Sequence, residues 1–282
     1  MPSVERGIRG EGGSRPEQEL PGSLGGLPRG PSTIAQHLRR RGISMVAQKF
    51  NWKGRSGPFE LELSEHTFAP STISVLLADA LKVHEGDQVI DVGCGSGVLS
   101  IVAAKLGAGE VIGVDTAPDV VEVASRNAAR QGVSGVTTFL RGDLFEPLPQ
   151  GIQADVIIGD VSGIADPLAE ESGWFPTRKG GGPRGSELPI RMLRAARERL
   201  RAGGRLFLPT GSLQDEGAIL RAAQAIYGKL TRLTERQIPL PRALAEAPAV
   251  VKLAKDKIVQ LRERGSRFLW TARVWECTTT TT

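Results

Sequence analysis

Cysteine is almost missing from these 282 residues: only Cys94 and Cys277 occur. Two thiols cannot build a disulfide framework, nor a tetrahedral metal set by themselves. Histidine is nearly as scarce. His37 and His84 have no motif around them, and no His/Cys/acid spacing suggests a metal, so none is expected. Long apolar runs are absent too; none approaches the roughly 20 residues that cross a bilayer, and no membrane partner is expected. The opening residues are Gly, Pro and charged residues without the apolar stretch of a secretory signal. A reducing cytoplasm is the expected compartment. What is present is 40% apolar residues, enough for a globular core.

The net charge of +5 is unevenly placed. Residues 1–55 hold ten Lys or Arg against four Asp or Glu, and the remaining chain holds 26 against 27. A body that neutralises many phosphates is expected to be basic itself, so the neutral body argues against a nucleic-acid substrate. The basic head, and any local patch hidden in a neutral total, keep RNA as an alternative.

Residues 1–31 contain 13 Gly or Pro and almost no apolar periodicity, the composition of a disordered segment. Residues 34–41 read as a short basic helix, and Met45 offers a second start of translation. At 59–63 apolar residues alternate with acids, as in a half-exposed strand. Residues 72–81 carry helical spacing. Strands then follow at 89–92, 111–114, 136–140, 156–158, 205–208, 230–238 and 268–275. Helices are expected at 97–106, 118–131, 188–201 and 216–227, with one or two more across 244–264. Short apolar strands separated by amphipathic helices imply an α/β fold, a doubly wound, mostly parallel sheet covered on both faces. The expected organisation is a Gly/Pro/Arg-rich head (1–44) and a strand and lid/helix segment (45–85). A catalytic domain (86–277) carrying inserts at 166–187 and 244–264 follows, and then a frayed tail (278–282).

The sharpest local signal is Val89-Ile90-Asp91-Val92-Gly93-Cys94-Gly95-Ser96-Gly97, a strand entering a glycine turn that opens a helix. A dinucleotide site wants G-x-G-x-x-G, whose third glycine falls on Val98. The observed spacing is G-x-G-x-G with Asp91 two residues ahead. A carboxylate beside the turn repels a pyrophosphate and holds a ligand bearing an ammonium and a sulfonium. These residues resemble the first motif of class I S-adenosylmethionine-dependent methyltransferases. The next strand ends in Asp115, where a carboxylate accepts both ribose hydroxyls. Leu140-Arg141-Gly142-Asp143-Leu144 follows the third strand, at the place where family members receive the adenine amino group. The resemblance, over 67–212, implies S-adenosyl-L-methionine as cofactor and a seven-stranded Rossmann-like sheet with one antiparallel strand. It assigns Asp91, Gly93, Cys94, Gly95, Gly97, Asp115, Asp143 and Leu144 to the cofactor, with Cys94 a small turn-filling residue. Phe68-Ala69-Pro70-Ser71-Thr72 resembles the segment that closes over the cofactor in release-factor glutamine methyltransferases. Thr72 then lies near the methionine end; its other reading is the N-cap of the following helix.

The resemblance breaks after the fourth strand. Amino-group methyltransferases of that kind carry an Asn-Pro-Pro-Tyr tetrapeptide there, and this chain reads Asp160-Val161-Ser162-Gly163. Asp160 remains the catalytic candidate, to orient an amine or take its proton, with Ser162 a substrate contact and His66 a weaker candidate. The insert 166–187 reads as irregular: Trp174 and Phe175 as pocket walls, Arg178 and Arg184 as holders of a carboxylate, or else a surface loop with two buried aromatics. The expected function is methyl transfer to a small molecule or a protein side chain. Other sulfonium chemistry releasing methylthioadenosine, RNA methylation and a non-catalytic binding partner are the rivals. The 244–264 segment is expected to cover the substrate mouth or to serve a homodimer interface.

Overall fold

The computed structural model describes residues 48–279 apart from Pro176 and Arg178. The expected disordered head, the basic helix at 34–41 and Met45 lie outside the described residues. The chain opens with an antiparallel hairpin of β1 (Gln48–Trp52) and β2 (Phe59–Leu63). The alternation read at 59–63 is real: Phe59, Leu61 and Leu63 are buried, and Glu60 and Glu62 lie between them on the other face. Helix α1 (Thr72–Ala80) follows.

The main sheet then builds up from β3 (Gln88–Val92), α2 (Val98–Lys105), β4 (Glu110–Asp115), α3 (Val120–Arg130), β5 (Thr137–Arg141) and β6 (Ala154–Gly159). Next come α4 (Asp166–Ser172), α5 (Glu187–Arg199), β7 (Leu200–Gly211), α6 (Glu216–Tyr227) and β8 (Gly228–Leu240). Two short helices, α7 (Arg242–Ala245) and α8 (Pro248–Lys255), lead to β9 (Arg262–Arg264) and β10 (Arg267–Thr279). The seven long strands lie in the order β5-β4-β3-β6-β7-β10-β8, and β9 pairs on β10 alone. β3 to β7 pair in parallel, and β10 is antiparallel to both β7 and β8. The expected seven-stranded, mostly parallel sheet with one antiparallel strand is what is found.

Successive strand residues face opposite sides, which is why these strands read as continuous apolar runs. Val89, Val111 and Ile158 join the core under α1, α2 and α3. Ile90, Ile112 and Ile157 join the core under α5 and α6, with Met192 and Tyr227. A third core binds α4 to the segment between β8 and β10, through Leu168, Leu213, Leu244 and Val250.

Three expectations at the edges need correction. The insert after β6 is not irregular throughout, because α4 forms its first seven residues. Pro167 suits the first turn, where its missing N–H costs nothing, and Gly173 ends the helix in the left-handed region. The helical reading of 244–264 stops at Lys255, since 262–264 pairs with Arg267–Leu269 across a Gly265–Ser266 turn. The tail is not frayed at Thr278 and Thr279; both lie in β10, paired with Lys229 and Gly228.

Candidate cofactor and acceptor site

The turn between β3 and α2 is pinned on both sides. The N–H groups of Gly93 and Cys94 donate to the Val114 carbonyl at 2.8 and 3.1 Å. Gly93, Gly95 and Gly97 all have positive φ, at 83°, 50° and 81°. Gly93 has a second reason to be glycine: a Cβ there falls 2.3 Å from the Asp160 carbonyl oxygen. The turn is therefore wedged against the segment leaving β6. Gly95 faces the other way, into open cavity, with nothing within 4 Å of a Cβ. Behind the turn, buried Asn127 of α3 donates to the Ser96 and Glu62 carbonyls at 2.9 Å and accepts from the Glu62 N–H at 2.8 Å. One amide thus joins the glycine turn, a helix and the β1–β2 hairpin.

The turn borders a cavity of about 570 Å³ at the C-terminal ends of the parallel strands, the place where doubly wound sheets bind ligands. Asp115, at the end of β4, accepts the Gly95 N–H through Oδ2 and the Ala117 N–H through Oδ1, both at 2.9 Å, and lines the cavity. Asp143 lines it beyond β5, where Arg191 holds its carboxylate at 2.6 and 3.1 Å, and Leu144 beside it has φ 50°. Asp160, at the end of β6, lines it opposite α1. Burial pushes the Asp160 carboxyl up to about 7, nearby Asp91 and Asp115 push the same way, and the Ser74 hydroxyl acts against them. Among the described residues the cavity wall holds these three carboxylates and no Lys or Arg.

Asp91 does not reach that wall. It is fully buried in β3, with Oδ2 accepting the Ser100 hydroxyl at 2.6 Å and Oδ1 without a partner. Its strand position turns the side chain toward α2, and burial raises its carboxyl to about 7. Cys94 is buried against Gly113, its thiol pushed well up by burial, which fits a turn filler and no nucleophile.

The β7–β10 half of the cavity is apolar. Ile238 and Pro239 of β8, Pro209 of β7, Trp270 of β10 and Leu213 form its floor and sides. Phe68 and Phe175 stack across it with ring centroids 5.0 Å apart, so the segment before α1 meets the insert after β6. Trp174 and Phe68 are each 37% exposed at the mouth. Gly180 and Gly181 pack on the chain leaving β6; a Cβ on Gly180 falls 2.1 Å from the Ile164 carbonyl oxygen. Asp166 at the start of α4 accepts the Gly180 N–H at 2.8 Å and the Gly182 N–H at 3.2 Å, folding the glycine-rich loop back over the strand end.

Of the expected positions, the structure brings Thr72, Gly93, Cys94, Gly95, Asp115, Asp143, Leu144, Asp160, Ser162, Trp174 and Phe175 to one cavity. Gly97 stands behind it against Ala124 and Phe139. The helix cap is not Thr72 but Ser71, which accepts the Ile73 N–H while Ser74 accepts the Ser71 N–H. Arg184 is not on the wall: it holds Asp215, the cap of α6, at 2.7 Å. Arg178 lies outside the described residues. His66 lines the mouth, 3.6 Å from Glu65. Sequence reasoning missed Trp270, Ile238, Ser74 and Gln214. The Gln214 amide lies buried between the Gly163 carbonyl and the Gly211 N–H. Only the Gly211-Ser212-Leu213-Gln214 turn after β7 carried any local signal for that one.

Residues 69–171 match the family model of ribosomal protein L11 methyltransferase (PrmA). The cofactor is S-adenosylmethionine. The ribosomal protein L11 methyltransferase of Aeromonas salmonicida is 43% identical over 86 residues, covering 30% of this chain and 27% of that protein. The Vibrio cholerae protein of the same name is 45% identical over 96 residues, covering 34% and 30%. The match therefore spans less than a third of those relatives. The Thermus thermophilus 16S rRNA N2 G1207 methyltransferase, solved with AdoMet and guanosine, superposes with a TM-score of 0.56 at 17% identity, covering 84% of this chain and 52% of that one. This last likeness is one of fold. The matched segment, from the residue after Phe68 to Glu171 in the last turn of α4, is similar to the core of those S-adenosylmethionine-dependent methyltransferases. Its wall suits that cofactor: a turn whose open side a Cβ would fill, and the carboxylates of Asp115 and Asp160, which among the described residues have no Lys or Arg partner, for a ligand that carries a sulfonium and an ammonium.

Proposed function

We propose that this protein transfers a methyl group from S-adenosylmethionine to an amino group of a protein side chain. The observation that carries the reading is Asp160. Its carboxyl ends β6 beside the glycine turn, held near 7 by burial, in a cavity without cationic side chains among the described residues. An acceptor that is itself an anion is disfavoured there, and an ammonium is attracted. A carboxyl titrating near neutrality can take the proton an amine must lose before it attacks. The bound cofactor supplies an electrophilic methyl group on a positively charged sulfur. The protein's work is to hold the amine in line with that methyl and to exclude water.

In this reading Asp115 takes the ribose hydroxyls, and Asp143 with Leu144 the adenine edge. The turn from Gly93 to Gly97 lies along the methionine moiety, with Thr72 opposite. Asp160 and Ser162 face the amine, and Trp174, Phe175 and Phe68 flank its aliphatic stem. Exposed apolar side chains at a cavity mouth suit an acceptor carried on a larger partner. The named relatives are methyltransferases of a ribosomal protein, which supports a protein acceptor. The missing diproline and aromatic after β6 separate this acceptor from the planar amides of the release-factor group.

The test is product analysis with S-adenosylmethionine and ribosomal protein L11 beside a panel of small amines. S-adenosylhomocysteine with a singly or multiply methylated protein is the expected result. Methylthioadenosine as coproduct would overturn the methyl-transfer reading, and methylation confined to small amines would overturn the protein acceptor.

A further inference from the structure

The neutral charge total of the folded body conceals one concentrated patch. β9 and the start of β10 form a hairpin in which Arg264 stands directly opposite Arg267, and Arg262 opposite Leu269. Residues paired across an antiparallel ladder share a face, as do residues two apart on one strand. Arg262, Arg264 and Arg267 therefore lie on one face, and all three are exposed. Among the described residues none has an ion-pair or hydrogen-bond partner for its guanidinium. Glu263, the hairpin's acid, is paired with Phe268 and belongs to the other face. Like charges directly opposed in a ladder destabilise it, so this arrangement works against the hairpin unless something outside the chain neutralises it.

The hairpin is also well placed. The Gln260 N–H donates to the Ser212 carbonyl at 2.7 Å, which fixes β9 just past the end of β7. On the arginine face, Leu269 pairs with Pro239 of β8, which lines the cavity. The arginine face thus stands on the element that supplies the cavity wall.

We propose that the β9–β10 hairpin is a phosphate-binding arm that seats RNA beside the mouth of the cavity. Three guanidinium groups on a strand pair, accompanied on that face by Leu269 and no aromatic anchor, fit a phosphate backbone. Phosphate recognition is largely electrostatic and indifferent to sequence, and Arg meets it with a rigid fork of donors. A protein partner wants a cluster of aromatic and aliphatic anchors, which Leu269 alone does not supply. The arm would act whether the methyl acceptor is protein or RNA, so the inference does not rest on the acceptor assigned above.

The experiment uses the full chain and a fluorescein-labelled RNA hairpin, with binding followed by fluorescence anisotropy across a potassium chloride series. The wild type should bind at low salt. The triple variant Arg262→Gln, Arg264→Gln, Arg267→Gln should flatten the slope of log affinity against log salt by about two to three, at roughly 0.7–0.9 per lost phosphate contact. Its melting temperature should not fall, because the opposed pair is gone, and its affinity for S-adenosylhomocysteine should be unchanged. No RNA binding by the wild type, or equal slopes for the two proteins, would overturn the proposal. So would poly-L-glutamate binding that the triple variant loses while RNA shows none, which would hand the arm to an acidic protein.

Discussion

At the β3–β6 end of the cavity the wall is largely backbone. The N–H groups and glycines of the turn and the strand-end acids Asp115 and Asp143 come from one continuous stretch of chain, the stretch that matches the family model. At the β7–β10 end the wall is side chains gathered from far apart, Pro209, Leu213, Ile238, Pro239 and Trp270, set against Phe68 and Phe175. A cofactor shared by many enzymes is met by local geometry that a short motif encodes. An acceptor peculiar to one enzyme is met by tertiary packing. Asp160 stands on the seam, its carbonyl against the glycine turn and its side chain on the cavity wall.

That seam is where the contrast can be broken most sharply. Asp160→Asn should retain cofactor affinity while turnover falls by about 10²–10⁴, the range for a positioned acid–base group. Single-turnover assays beside calorimetry with S-adenosylhomocysteine separate the two quantities, and lost cofactor binding would mean that the ends do not work independently. Gly93→Ala should follow in size. Left-handed strain of about 1–2 kcal/mol adds to an overpacking cost of about 1–3 kcal/mol, because the new Cβ meets the Asp160 carbonyl. Thermal denaturation should show that loss, and calorimetry should show cofactor binding abolished. Asp115→Ala should be milder, weakening S-adenosylhomocysteine by about 1.5–3 kcal/mol, the worth of hydrogen bonds to a charged group. Equal affinity in mutant and wild type would remove Asp115 from the cofactor.

The last prediction is a pH dependence, whose effect on ligand preference is the smallest of these. Asp91 and Asp160 bind protons more tightly folded than unfolded, since their carboxyls move from 3.8 up to about 7. Stability of the ligand-free protein should therefore fall as pH rises from about 4 to about 7 and level off above that. Ionisation over the same window favours the cation. The preference for S-adenosylmethionine over its neutral-sulfur product should grow by about tenfold from pH 6 to 8, one pKa unit of coupling. Calorimetry at both pH values checks it, and Asp160→Asn should lessen both slopes while leaving the part owed to Asp91.

The same division decides what could be read from the sequence. The cofactor end was legible because its signals are adjacent in the chain: three glycines in five residues and an acid after each of two strands. Asp91 was the exception. Its spacing from Gly93 is correct, but strand alternation points its carboxyl at Ser100 and away from the cavity. The acceptor end was mostly illegible. Trp270 looks like any strand aromatic until β10 is placed beside β8, and Arg184 looks free until Asp215, 31 residues on, is seen to hold it. α4 was hidden because the glycines that follow it lend the whole insert the look of a loop, although Asp166 uses their N–H groups to fold that loop back.

The placement of β10 between β7 and β8 also bears on how the molecule comes into being. β8 precedes β10 in the chain, yet among the described residues it pairs into the sheet through β10 alone. Until β10 arrives, β7 presents an open edge and β8 has nothing to pair with, the exposed condition in which strands join the wrong neighbour. The cofactor end can assemble from contacts close in sequence while this step waits on contacts far apart. A chain interrupted ahead of Arg267 would keep its glycine turn and strand-end acids, but would present two unguarded edges and lack Trp270 and the strand that holds Ile238 and Pro239 in place.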